Sequence, residues 1–222
     1  SGRQISNWWG DSYRGLSSIR LGITNSMNII AVKCLTSITP AVGFEYLEDF
    51  GFTTLVKSRV NADNTVNSDI NQALALGGLT DGVSNFELNA AYASIANGGI
   101  YIEPTLYTKV LDHNGNVIID KTVPDSHRVL REQSAFLLTS AMKDVVTAGT
   151  GTAVNFPGMT IAGKTGTTSN DKDVWFVGYT PYYVGATYLG DDAGRKDSNG
   201  NTISRKGISG GSSSAAKLWS TV

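Results

Sequence analysis

A single cysteine, Cys34, stands among 222 residues, so no disulfide can close within the chain and no cysteine-based zinc site can be built. It lies in the apolar run Ala31-Val32-Lys33-Cys34-Leu35 and reads as a buried thiol. Histidine is almost as scarce. His113 and His127 both fall in polar, turn-like sequence, which argues against a His-dependent triad or a metal cluster. Any catalysis then falls to Lys, Ser, Thr or carboxylates. Charge of one sign is also lacking: 18 basic and 19 acidic side chains leave a formal net charge of −1. No long-range field draws nucleic acid or an anionic membrane. Long apolar runs are missing too. The charge-free stretch from Val174 to Gly190 is broken by Gly178, Pro181 and Gly185, and reads as two strands and a turn rather than a membrane span. No signal peptide opens the chain, which starts Ser-Gly-Arg without an initiator Met and reads as a fragment of a longer protein.

What is present suits a folded domain with a sizeable core, 41% of the residues being apolar. Leu16, Ile19, Ile23, Ile30 and Val32 recur near helical intervals from Arg14 to Leu35, with a polar break at Asn25-Ser26-Met27-Asn28. Ala41 to Phe50 is a second amphipathic helix ended by Gly51, and residues 58–72 are Asn-rich and read as loop. Ser84 and Glu87 form a capping box for a helix that stops at Asn97-Gly98-Gly99. Ile100 to Ile102 is a short strand, and Asn114-Gly115 marks a hairpin. Arg131 to Val146 is a long amphipathic helix. Beyond it, Met159 to Ala162, Val174 to Val177 and Tyr183 to Tyr188 read as three consecutive antiparallel strands. Residues 191–206 read as a charged loop, and Ser212 to Trp219 as a closing helix. Helices followed by an antiparallel sheet give an α+β fold.

One stretch admits two active sites. Gly158-x-x-x-x-Gly163-Lys164-Thr165 satisfies the phosphate-loop pattern of nucleotide hydrolases. Such a loop needs a buried strand before it and a helix starting at the Lys-Thr. Here Asn155-Phe156-Pro157 precedes it, weak helix formers from Gly166 to Asn170 follow it, and Met159 to Ala162 inside it look like strand. Tyr188-Leu189-Gly190-Asp191-Asp192 imitates a magnesium-binding strand but reads as a sheet strand entering a loop. The NTPase is therefore a remote alternative.

Lys164-Thr165-Gly166-Thr167 also resembles the Lys-Thr-Gly signature of penicillin-interacting serine enzymes. In that setting the Lys supplies fixed positive charge near a substrate carboxylate, and the Thr hydroxyls donate to it. Gly leaves room for substrate against the backbone, and the Thr167 amide is free as an oxyanion donor. Residues 161–180, with Lys-Thr-Gly-Thr, an acidic residue, an aromatic strand and Gly-Tyr-Thr-Pro at 178–181, closely resemble the transpeptidase domain of class A penicillin-binding proteins. The resemblance runs over nearly the whole chain. Asn7-Trp8-Trp9, Tyr13-Arg14-Gly15 and Ile19-Arg20 look like the segment leading to the family's Ser-x-Asn motif, which falls at Ser26-Met27-Asn28. Leu74 to Gly78, Ala90 to Ala93, Ala96 to Gly99, Pro104 and Gly149-Thr150-Gly151 match further landmarks.

The resemblance implies a five-stranded antiparallel sheet between helices, plus a helical lobe, with the cleft between them. It implies that residues 1–222 are the C-terminal part of a transpeptidase domain. It makes Ser26 the shuttle that protonates the leaving amine, with Lys164 beside it; Asn28 holds the substrate amide, and Thr165 and Thr167 bind the terminal carboxylate. Gly166 provides clearance. Ordinary readings compete: Ser26 as a cap for Ile29 or Ile30, Asn28 as a turn residue, Lys164 as an exposed strand Lys. Trp8 and Trp9 read as core residues rather than cleft lining.

The family's nucleophile lies in a Ser-x-x-Lys motif upstream of Ser-x-Asn. Ser140 to Lys143, Ser169 to Lys172 and Ser214 to Lys217 fit that spelling, but none precedes Ser26, and all three read as chance. The nucleophile is therefore expected before residue 1. The implied partners are peptidoglycan stem peptides ending in D-Ala-D-Ala, β-lactams, and the upstream segment of the same protein, in the same polypeptide or as a separate chain. No cofactor or metal is implied. The implied location is the extracytoplasmic face of the bacterial cell membrane, with the anchor and a glycosyltransferase domain upstream. A class A β-lactamase, or a non-catalytic fragment that binds penicilloyl groups or peptides, competes with the transpeptidase reading.

Overall fold

A computed structural model describes residues 4–10, 12–154, 156–191 and 195–221. The readings that touch Asn155 and Asp192, and the opening Ser-Gly-Arg, lie outside the described residues.

The first half of the chain is a helical lobe. Helix α1 (Ile19–Thr24) starts at Ser18, whose hydroxyl accepts from the Leu21 amide. A tight turn leads to α2 (Asn28–Ile38) and then α3 (Pro40–Asp49), which has proline at its first position and Thr39 as its cap. The stretch expected as loop folds instead into a small hairpin of β1 (Arg59–Val60) and β2 (Val66–Asn67), followed by a 3-10 turn over Gln72–Leu76. Leu35, Phe44 and Leu74 form the core of this lobe. Helix α4 (Asn85–Ala96) carries the expected capping box between Ser84 and Glu87.

Strand β3 (Ile100–Ile102) leads to the hairpin of β4 (Lys109–Leu111) and β5 (Val117–Asp120), and then pairs with β6 (Ser126–Arg128). Helix α5 (Glu132–Ala148) runs back to the sheet. Strands β7 (Ala162–Thr167), β8 (Asp173–Tyr179) and β9 (Val184–Gly190) form an antiparallel sheet in sequence order, and α6 (Ser212–Trp219) closes the fold.

Side chains alternate across that sheet. Val174, Phe176 and Leu189 point to one face, where Ala215, Ala216 and Trp219 of α6 cover them together with Val146 and Val154. Phe176 is fully buried there, worth about 1.5–3 kcal/mol over an exposed ring. The opposite face carries Ala162, Tyr179 and Val184 at one end, packed against Ile95 and Tyr92 of α4 and Ala135 and Met142 of α5. Its other end, with Lys164, Gly166, Trp175 and Tyr188, is open.

The α+β class with an antiparallel sheet holds. Among the described residues that sheet has three strands, and the outer edge of β9 pairs with none. Met159 to Ile161 are not strand. Gly158 turns the chain at φ 87°, and pairing begins only where Ala162 meets Tyr179. Lys164 and Thr165 lie inside a strand, so no helix N-terminus stands there for a phosphate. Cys34 is half-buried rather than buried. Trp8 is 65% exposed, which corrects its reading as a core residue: its indole instead donates to the Asn25 carbonyl at 2.9 Å.

Candidate active site

Strand β7 presents Lys164 to the open end of the sheet face, opposite Val177 in register. Its Nζ donates to Ser26 Oγ at 2.8 Å, to the Thr165 carbonyl at 2.9 Å and to Thr165 Oγ1 at 3.4 Å. No carboxylate faces it among these contacts. Burial disfavours the ammonium and pushes the Lys164 pKa from its ordinary 10.5 down to about 8.

Ser26 sits in the turn between α1 and α2 with φ 53°, a left-handed conformation that few non-glycine residues adopt. The turn is pinned on both sides. The Ser26 amide donates to Ile23 O at 3.2 Å and the Met27 amide to Gly22 O at 2.8 Å, while the Met27 side chain is buried. Ser26 does not cap α2, whose N-cap Met27 makes no side-chain cap bond. Asn7 reaches in from upstream, its Oδ1 accepting from the Ile29 amide at 3.3 Å. Asn28 donates through Nδ2 to the Ser6 carbonyl at 3.1 Å. Residues 6–8 thus strap the Ser-Met-Asn turn, which frees the Ser26 hydroxyl for Lys164.

Thr165 is buried, and its hydroxyl lies 2.6 Å from Thr150 Oγ1 and 3.4 Å from Lys164 Nζ. The Thr150 amide donates to the Thr24 carbonyl at 3.3 Å, so Gly149-Thr150-Gly151 ties the end of α5 to both α1 and β7. Gly166 packs on Trp175, where a Cβ would stand 3.2 Å from the Trp175 Cβ. Thr167 is exposed at the end of the strand. The structure therefore gathers Ser26, Lys164 and Thr165 by direct hydrogen bonds, with Gly166 and Thr167 next in line on β7. The contact that it gives Asn28 is to the upstream strap.

A cavity of about 720 Å3 lies between the helical lobe and the open sheet face. Lys164 to Thr168 form one wall. Phe52, Leu79 and Leu88 from the lobe and α4, with Trp175 and Tyr188 from the sheet, make the rest largely apolar. None of the Ser-x-x-Lys spellings lines it. Ser140 accepts from Arg20 at 2.9 Å on α5, Ser169 opens an exposed 3-10 turn, and Ser214 donates to the Ser209 carbonyl at 2.7 Å at the start of α6.

Sequence reasoning missed the Asn7 strap and the Thr150–Thr165 pair as contacts, although both lie in segments that it singled out as landmarks. It gave no role to Asp173, Tyr188 or Arg205, which gather at the Thr168 end of the cavity.

Residues 1–205 match the family described as the penicillin binding protein transpeptidase domain. The chain is 34% identical over 211 residues to penicillin-binding protein 1A of Clostridium acetobutylicum, covering 95% of this chain and 23% of that protein. It is 31% identical over 207 residues to penicillin-binding protein 1A/1B of Bacillus subtilis, covering 85% of this chain and 21% of that one. The chain thus spans under a quarter of the length of these relatives. Among solved structures it is similar to penicillin-binding protein 1A from Haemophilus influenzae, with TM-score 0.73 and 25% identity over 99% of this chain and 35% of that one. It is also similar to the PonA1 protein from Mycobacterium tuberculosis in complex with penicillin V, with TM-score 0.70 and 25% identity over 97% of this chain and 57% of that one.

Proposed function

Because the chain belongs to the penicillin-binding protein transpeptidase-domain family, we propose that it forms the Lys-Thr-Gly and Ser-x-Asn walls of a serine D-alanyl-D-alanine transpeptidase site. One observation carries the reading: Lys164 Nζ meets Ser26 Oγ at 2.8 Å across 138 residues of sequence, in a partly buried position beside an apolar cavity.

The nucleophilic serine comes from a Ser-x-x-Lys segment upstream, in the same polypeptide or as a separate chain. The largely apolar cavity between the sheet face and the lobe supports this, since a helix carrying that motif would bury what the described residues leave open. The unpaired edge of β9 supports an upstream strand in the same way. Residues 1–222 are thus the C-terminal portion of the domain.

The upstream serine attacks the carbonyl of the penultimate D-Ala of a donor stem peptide. The C–N bond breaks, D-Ala leaves, and an ester to the serine remains. The serine proton passes to the lysine of its own motif and on through Ser26 to the departing nitrogen, with Lys164 fixing the Ser26 hydroxyl. An amine of a second stem peptide then attacks the ester, restoring the serine and forming the cross-link. Lys164 and the hydroxyls of Thr165 and Thr167 attract the terminal carboxylate, Asn28 holds the substrate amide and Gly166 gives clearance. A β-lactam enters by the same attack and stays as the acyl-enzyme. The penicillin V complex of a structural neighbour supports β-lactam binding at such a site. The site belongs at the extracytoplasmic face of the bacterial cell membrane, with its anchor outside this chain. Among the described residues no single helix is long and apolar enough to cross a bilayer.

The test is labelled penicillin on a protein that joins this chain to its upstream segment. Stoichiometric, stable labelling is expected, and Lys164→Ala should abolish it with circular dichroism unchanged. Normal labelling of Lys164→Ala, or rapid turnover of a chromogenic cephalosporin, overturns the assignment.

A further inference from the structure

The cavity ends at the turn between β7 and β8, and a distant residue holds that turn. The Thr168 amide donates to the Asp173 carbonyl at 2.9 Å, and the Asp173 amide to Thr168 Oγ1 at 2.9 Å. The Asp173 carboxylate then collects donors from three directions. Thr168 Oγ1 reaches it at 3.1 Å and the Tyr188 hydroxyl at 2.7 Å. Arg205 reaches it with both terminal nitrogens, Nη1 at 3.2 Å and Nη2 in an ion pair. The same guanidinium donates Nε to the Asp191 carbonyl at 2.6 Å and Nη2 to the Lys172 carbonyl at 3.1 Å.

The turn needs such a hold. Asn170 and Asp171 are both left-handed, at φ 62° and 54°, a conformation that Asn and Asp tolerate better than other non-glycine residues but that two in succession still have to be held in. The segment after Arg205 closes over them: the Ile208 amide donates to the Asp171 carbonyl at 2.8 Å, and Gly207 lies against the Asn170 carbonyl, where a Cβ would collide. Tyr188 also rests on Trp175, ring centroids 4.6 Å apart, so the cluster joins the cavity wall. The Arg205 and Asp173 side chains are 24% and 22% exposed, and the pair sits in a network of four side chains, unlike an isolated surface ion pair.

We infer that Arg205 is a positioning residue: acting through Asp173 and Thr168, it fixes the end of β7 so that Thr167 meets the substrate carboxylate. This rests on the reading of Thr167 given under Proposed function. Arg205 itself touches no substrate; its donors are committed to Asp173 and to two carbonyls.

The experiment compares acylation of the protein, joined to its upstream segment, by benzylpenicillin and by its methyl ester, which lacks the carboxylate charge. The ratio of the two rate constants does not depend on the fraction of protein folded. Arg205→Gln and Asp173→Asn should each lower that ratio about tenfold, the scale of one charge-assisted hydrogen bond, mostly by slowing the free acid. The double variant should be no worse than either single one. Tyr188→Phe, which removes one hydroxyl and is the gentlest for folding, should lower the ratio about threefold. An unchanged ratio in the folded variants, with both compounds slowed equally, overturns the inference alone. Failure of the unsubstituted protein to be acylated by either compound overturns the functional reading and the inference with it.

Discussion

Lys164 Nζ and Ser26 Oγ lie 2.8 Å apart, joining the sheet to the turn between α1 and α2 through a lysine that burial has brought to about 8. Below that pH Lys164 is an ammonium, the form that attracts a carboxylate. Acylation by a carboxylate-bearing penicillin should therefore decline as pH rises through about 8. Folding should respond with the opposite sign. In the unfolded chain Lys164 keeps its proton up to its ordinary 10.5, so between about 8 and 10.5 the unfolded state binds more protons and stability rises with pH. Lys164→Met should remove that rise. Parallel pH profiles of acylation and of thermal unfolding check both, and a rate that climbs through pH 8 contradicts the role of the ammonium.

Ser26 separates function from stability at one position. Its φ of 53° suits glycine better than any residue with a Cβ. Ser26→Ala and Ser26→Gly both remove the hydroxyl, so both should slow acylation about 100- to 10,000-fold. They should differ in stability, Ser26→Gly being the more stable by about 1 kcal/mol because it relieves the left-handed strain. Denaturant midpoints with unchanged slopes measure the difference, and equal midpoints would show that the turn stores no strain.

The sequence was most legible where the signal is local. Ser84 and Glu87 announce a helix start within four residues, Asn114-Gly115 announces a hairpin, and α6 falls where its pattern puts it. Strand β6 went unread because Ser126 to Arg128 are strand only through pairing with β3, across an intervening hairpin. Met159 to Ile161 have strand composition but no strand partner among the described residues, so propensity alone misplaces the strand by a few residues. At the site, the family motifs marked Ser26, Asn28 and Lys164 to Thr167. Asn7, Thr150 and Arg205 work through contacts with backbone or side chains far away in sequence, and no local pattern encodes such a partner.

Asp69 tests the same point for stability. It is almost fully buried in the helical lobe with no cation in hydrogen-bond contact among the described residues, and it accepts from the Val56 amide at 2.8 Å, the Thr80 amide at 2.8 Å and Thr80 Oγ1 at 2.6 Å. Burial works to raise its pKa, but the bonds from Thr80 and Val56 outweigh it and hold the carboxyl below the ordinary 3.8. Its stabilising effect is therefore present above that value and lost as pH falls through the lower folded one. Asp69→Asn puts an amide group where three donors converge and should cost about 2–4 kcal/mol. Thermal unfolding at neutral pH checks the cost. A difference between variant and parent that does not shrink on acidification rejects the carboxylate as its source.

Gly149 controls the seam on which the site depends. Its φ of −116° is open to any residue, so its requirement is space rather than conformation. A Cβ there would run into the Thr24 carbonyl and stand 2.9 Å from the Val145 Cα, both backbone atoms that cannot swing aside. At Gly151 a Cβ would meet nothing closer than Val145 Cγ1 at 3.2 Å, with Phe176 Cε2 and the Val145 carbonyl at 3.3 Å, contacts that a shift of a few tenths of an ångström relieves. Gly149→Ala should therefore destabilise by about 1–3 kcal/mol, and Gly151→Ala by less. Function should separate them further. Thr24 is two residues from Ser26, and Gly149 precedes Thr150, the partner of Thr165; pushing α1 from the end of α5 moves Ser26 away from Lys164. A displacement near 1 Å costs on the order of 100-fold in a positioned site, so Gly149→Ala should lose acylation at temperatures where it is still folded. Matching acylation rates for the two folded variants would mean that the seam carries stability but does not set the Lys164–Ser26 distance.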